Sequence, residues 1–157
     1  MRNNTNNHRA MKITGILRAE HSVFHNLFDY IERTAPMLKT AAEVKSLARL
    51  TESLLEAHSR TEDELFIEPL EHCFEQVGQR ETFHEEHEAI DRALLEVEKS
   101  KTLKAAKLQL LSVVTAARKH FDKEERIVFP MAERVLKAKT LTDLGTEWSK
   151  RREAALK

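Results

Sequence analysis

Two short runs in this chain place a glutamate four residues after a histidine inside an apolar-patterned segment: HSRTEDELFIEP (His58 to Pro69) and HFDKEERIVFP (His120 to Pro130). On an α-helix, residues i and i+4 lie about 40° apart around the axis and roughly 6 Å apart along it. His58 with Glu62, and His120 with Glu124, can therefore point into one cavity, and each pair reads as half of a metal site. Imidazole nitrogen with carboxylate oxygen suits iron, manganese or zinc, and a carboxylate has two oxygens with which to bridge two ions.

The segments that must position these pairs repeat within the chain. Aligning Glu20-His21 with Glu86-His87 also pairs Leu17 with Phe83, Phe24 with Ile90 and Phe28 with Leu94. Aligning His58 with His120 brings Glu62 onto Glu124, Asp63 onto Glu125 and Leu65 onto Ile127. The pattern is two helical hairpins, each giving one histidine from its first helix and a His-x-x-x-Glu from its second. A lone histidine on an apolar stripe is usually a hydrogen-bonded core residue, and a lone glutamate there usually snorkels or pairs with a base. Four histidines and two glutamates on such stripes, with no Lys or Arg among them, are costly to bury without a cation.

The rest of the chain reads as the scaffold for that site. At 157 residues it is long enough to bury one sizeable core, and we expect a tail over residues 1–10 that is polar and mobile, followed by a single domain over 11–157. Lys+Arg and Asp+Glu both number 26, so the charge balance argues for no nucleic-acid partner. Apolar runs are too short for a membrane span, and the lone Cys73 excludes an intramolecular disulfide and fits a reducing, cytoplasmic setting. Three Gly and three Pro leave little turn chemistry for a sheet, so the fold class is all-α.

Periodicity predicts a first helix from an N-cap at Thr14 to about Thr34, with Leu17, Phe24, Leu27, Phe28 and Ile31 flanking His21. A capping box at Thr40 and Glu43 opens a second helix, whose stripe is Leu47, Leu50, Leu54, His58, Glu62 and Leu65 up to Pro69. Leu70 to Val77 reads as a short extension closed by Gly78. The third helix spans about Gln79 to Glu98 with Phe83, His87, Ile90, Leu94 and Val97 inward. After the turn at Lys99 to Thr102, a fourth carries Leu110, Val113, Ala117, His120, Glu124, Ile127 and Met131, with Pro130 placing a kink. Thr140 caps a last segment with Leu141, Leu144 and Trp148. The expected architecture is an antiparallel up-down-up-down four-helix bundle with a short extra C-terminal helix.

The segments EHSVFHNLF, HSRTE with its downstream proline, HEEHEAI, and HFDKE followed by IVFP resemble, in this order, the four helices of the hemerythrin-like family of HHE cation-binding domains. The ending LGTEWSKRR is also similar to the tail of such domains. The resemblance implies a left-handed four-helix bundle around two non-haem iron ions, with Glu62 and Glu124 as bridging carboxylates and His21, His58, His87 and His120 as nitrogen ligands. The chain departs from oxygen-carrying hemerythrins, which have HxxxH on the third helix and HxxxxD on the fourth; here the spacings are His84-x-x-His87 and His120-x-x-x-Glu124, which removes the implication of simple oxygen transport. His84 is a further candidate ligand, one turn before His87. His25 stays open between a ligand and a pocket residue. Ferritin-like bundles need Glu-x-x-His on two helices, and Glu81-x-x-His84 is the one match, so that architecture lacks its second half.

Four histidines and two bridging glutamates leave two irons short of six ligands each, with positions open to a small ligand. The expected function is a cytoplasmic di-iron protein that binds or senses O2, NO, peroxide or iron, in a pocket walled by Leu54, Phe83, Phe24 and Ala117. Manganese or zinc suits the same donors. The alternatives are a catalase-like enzyme that decomposes peroxide at the same centre, so that catalysis stays an open question, and a metal-free helical interaction module.

Overall fold

Each apolar stripe in the sequence is long enough for a helix of several turns, and each becomes one. The computed structural model describes residues 11–70 and 80–154, and for residues 80–84 the backbone alone. The described residues contain helix and turn and no strand. We number the helices α1 (Ile13–Thr34), α2 (Ala41–Glu62), α3 (Arg80–Lys99), α4 (Leu103–Lys123), α5 (Phe129–Val135) and α6 (Ala138–Ala154). Hairpin 1 comprises α1 and α2, and hairpin 2 comprises α3 and α4. The expected tail over residues 1–10, the extension closed by Gly78, His72 and Cys73 lie outside the described residues.

Helix starts follow side-chain chemistry where it exists. Thr40 accepts from the Glu43 backbone N–H at 3.2 Å while Glu43 accepts from the Thr40 N–H at 2.7 Å, the expected reciprocal box. Thr102, its repeat partner, caps α4 by accepting from the Ala105 N–H. Two expected caps are not caps. α1 starts one residue before Thr14, and the Thr14 hydroxyl is buried and donates to Glu133 at 2.7 Å, tying α1 to α5. α6 starts at Ala138, so Thr140 lies inside the helix.

α2 and α4 end alike. Each passes into one π-helical turn, Asp63–Ile67 and Glu124–Val128, whose closing N–H bonds the carbonyl five residues back. Pro69 and Pro130 follow; a proline ring clashes with the carbonyl four residues earlier and lacks an N–H, so a regular α-helix cannot run on through it. A 3-10 turn, Glu68–Leu70, completes the first exit and α5 the second.

Two apolar clusters form the core. One holds Phe24, Phe28, Ile31, Val44, Leu55, Ile90, Leu94, Val97, Leu110, Val113 and Phe121, among others; the second holds Ile13, Leu17, Leu65, Phe66, Val128, Phe129, Leu141 and Trp148. Each large side chain fully buried in them contributes about 1.5–3 kcal/mol. His21, His58 with Glu62, and His120 with Glu124 fall between the two clusters along their helices. Along α1 the second cluster comes first; after α2 and α4 it comes last, beginning in the π turn that follows each. α3 packs closely on α4 and on α2, α1 packs on α4, and α6 lies across α1 and the π turn after α2.

Two stripes shift from their expected phase. On α2 the buried line is Val44, Ala48, Thr51, Leu55, His58 and Glu62, while Leu50 and Leu54 are 52% and 44% exposed. On the fourth helix Ile127 is 44% exposed and Val128 takes its place in the core. The extra residue per turn of the π segment rotates the chain after Glu124, so the ideal period counted through it lands one residue early.

Candidate metal centre

A helix presents a histidine and the residue four later on one face, and the last turns of α2 and α4 do so at the level where the two apolar clusters meet. His21, His58, His120, Glu62 and Glu124 are each at most 2% exposed, and His87 is only partly buried. Donor atoms of His21, His58 and Glu62 lie within 4.8 Å of one another, as do those of Glu62, His87, His120 and Glu124. Glu62 belongs to both groups. Glu124 also faces both hairpins: one oxygen lies 3.0 Å from His120 Nε2 and the other 3.4 Å from His21 Nε2. The structure thus brings together six of the seven side chains that the sequence singles out. The seventh, His84, has its side chain outside the described residues.

Protons alone satisfy this cluster poorly. Burial, and next the charge of Glu124, pushes the Glu62 carboxyl well above its usual range. Burial works the same way on Glu124, but the His120 imidazolium outweighs it and holds that carboxyl at about 2. Burial works against a charged His120, yet Glu124 beside it raises the imidazole to about 9. His21 is driven down to about 3, by burial first. Both oxygens of Glu62 and the Nε2 atoms of His21 and His58 have no hydrogen-bond partner among the described residues. Such atoms cost about 1–3 kcal/mol each unless something meets them. Imidazole and carboxylate donors gathered in two groups, with two carboxylates each reaching both hairpins, fit metal cations.

A second ring of carboxylates surrounds the first. Glu20 accepts from His58 Nδ1 at 2.8 Å, Glu86 from His120 Nδ1 at 2.9 Å and Glu125 from His21 Nδ1 at 3.0 Å, and Asp63 stands 3.3 Å from His87 Nδ1. An acceptor at Nδ1 favours the tautomer with its proton there and leaves the Nε2 lone pair for an ion. The pattern obeys the internal repeat: Glu20 and Glu86 act within their own hairpins, Asp63 and Glu125 reach across. Each outer carboxylate is one residue from an inner donor, which turns it about 100° off the inner stripe, so spacing alone gives it no role. The sequence signal was the alignment of Glu20 with Glu86 and of Asp63 with Glu125.

Beside the imidazoles lies a cavity of about 20 Å³ bounded by Leu55, His58, Ser59, His87, Ile90, Asp91, His120 and Phe121. That is room for roughly one water-sized molecule. The expected walls differ. Ala117 is fully buried in the core, Phe83 has no described side chain, and Phe24 and Leu54 line a separate open groove of about 280 Å³ with Glu20, Val23, Ala57, His58 and Arg152. The one-residue shift of the α2 stripe is the reason: it turns Leu55 inward and Leu54 out. His25 stands apart from the six donors, its Nδ1 accepting from Arg118 at 3.0 Å.

A family model, the hemerythrin HHE cation binding domain, matches residues 12–132. No curated protein and no solved structure gives a significant match. The matched span holds all six converging donors and stops before α6. With most of its length matched and its histidines and glutamates gathered at one level of the helices, the chain belongs to the hemerythrin HHE cation-binding domain family of metal-binding helical proteins.

Proposed function

We propose that this protein holds two iron ions between its hairpins and binds or senses a small ligand there: O2, NO, peroxide or iron itself. His21 and His58 serve one ion, His87 and His120 the other, and Glu62 and Glu124 bridge. The observation that carries this reading is the sharing: Glu62 lies within 4.8 Å of donors from both hairpins, and Glu124 reaches an imidazole of each. Order along the helices supports an antiparallel up-down-up-down bundle, because the two apolar clusters exchange sequence between α1 and its neighbours α2 and α4.

Iron at such a site supplies open coordination positions and one-electron redox change. The chain supplies the rest. Glu20, Glu86 and Glu125 hold three imidazoles in one tautomer. Leu55, Ile90 and Phe121 wall the small cavity with apolar surface, which suits a diatomic or peroxide-sized ligand and leaves no room for a large organic molecule. No helix of the described residues is long and apolar enough to cross a membrane, and we place the protein in a reducing cytoplasm.

Elemental analysis with visible spectroscopy of protein purified without added metal tests this directly. We expect about two irons per chain and new bands when NO is added to the reduced form. Sustained peroxide decomposition, lost in Glu62→Ala, would move the reading to a catalase-like enzyme. Metal-free protein that ignores Fe(II) and keeps its full thermal stability would leave only a helical interaction module.

A further inference from the structure

The two hairpins brace their outer carboxylates Glu20 and Glu86 differently, and the difference involves a helix that the family match does not reach. In hairpin 2, Glu86 meets His120 Nδ1 and also accepts from Lys123 at 2.9 Å; histidine and lysine both come from α4. In hairpin 1, Glu20 meets His58 Nδ1 and accepts from Trp148 Nε1 at 2.8 Å, Arg152 Nε at 3.0 Å and Arg152 Nη2 at 2.9 Å, all from α6. Arg152 also donates to the Ala57 carbonyl at 2.9 Å, next to His58, and its guanidinium lies 4.8 Å from the centre of the Trp148 ring. That ring is 1% exposed and meets His58 edge to face at 5.8 Å.

We propose that α6 is a positioning element for one ion position: Trp148 and Arg152 clamp Glu20 against His58 Nδ1 and thereby set the aim of His58 Nε2 toward the ion shared with His21 and Glu62. The inference rests on the two-ion reading above. A carboxylate with four donors converging on it cannot swing, so the imidazole it holds cannot swing either. By linkage the coupling runs both ways, and filling that ion position holds α6 down on α1. α6 is thus the part of the chain through which occupancy of the centre reaches the surface.

Zn(II), which does not quench fluorescence, is titrated into metal-stripped full-length protein against a chromophoric chelator. Trp148→Phe keeps an aromatic side chain, smaller than the indole, and removes the N–H; Arg152→Gln removes the fork and leaves the core untouched. Each should weaken one of two ions by about 10–100-fold and leave the second within about twofold, the size of effect that partners of ligating histidines commonly have. In a Glu20→Ala background Trp148→Phe should have no further effect on affinity, because its target is gone. In the parent protein Zn(II) should also shift the emission of Trp148, the only tryptophan, and slow amide exchange in α6.

Two ions bound by both variants with parent affinities would overturn the proposal while leaving the two-ion reading intact. Equal weakening of both ions, in step with a fall in melting temperature, would also overturn it and reduce α6 to a structural strut. Parent protein that binds no Zn(II), Mn(II) or Fe(II) would remove the two-ion reading and this inference together.

Discussion

Hairpin 1 and hairpin 2 carry the same donors in the same order, yet the folded protein treats them differently. His58 and His120 are equally buried, and each faces a glutamate one turn on. In hairpin 2 that glutamate touches its histidine at 3.0 Å and is held ionised; in hairpin 1 the distance is 3.6 Å and burial pushes the glutamate toward its neutral form. Two carboxylates this close cannot both ionise cheaply, and small offsets decide which gives way. The outer ring differs too: Glu125 reaches His21 at 3.0 Å, while the shorter Asp63 stops 3.3 Å from His87. Repeated sequence therefore delivers repeated donor groups, and the surroundings make the two halves unequal.

Glu62→Ala should affect both hairpins at once. Because Glu62 lies in both donor groups, we expect both ions to be lost, read as metal per chain after gel filtration. Loss of one ion alone would mean that each hairpin binds separately.

Acid should destabilise the metal-stripped protein. The unfolded chain takes a proton on His21 at its ordinary value of 6.5 and on Glu20 and Glu124 at 4.5, protons which the folded protein refuses until about 3, 2 and 2 respectively. Protons then favour unfolding, so stability falls as the pH drops from 4.5 to 3. His120, whose folded value is raised, is protonated in both states across this window and adds no slope; Glu62, already protonated when folded, opposes the fall near 4.5, where the unfolded chain is still taking up its proton, and the three groups above outweigh it. Urea midpoints at the two ends of the window check it, and equal midpoints would contradict the assignment.

The smallest expected effect compares the helix starts. Thr40→Ala removes half of a reciprocal box and should cost about 1–2 kcal/mol in urea unfolding; Thr102→Ala removes a single cap and should cost about 0.5–1 kcal/mol. Equal losses would show that the Thr40 hydroxyl gains nothing from its bond to the Glu43 carboxylate beyond what a single cap supplies.

Features that depend on contacts within one helix, or on the helical period, were legible in the sequence. The all-helical class, the capping box at Thr40, the inward line of His87, Ile90, Leu94 and Val97, and the convergence of six donors all follow from i, i+3 and i+4 geometry and a repeat that places like residues in like phase. Tertiary structure decided whatever depends on departures from that period or on residues far apart in the chain. The π turns moved Ile127 out and Val128 in, and no local rule announces where one extra residue will be absorbed. Leu54 and Leu55 are equally apolar neighbours, and only the packing of α2 on α3 and α4 chose between them. The clamp of Trp148 and Arg152 on Glu20 joins residues more than a hundred positions apart, where charge and spacing along the chain carry no information about which partner a side chain will meet.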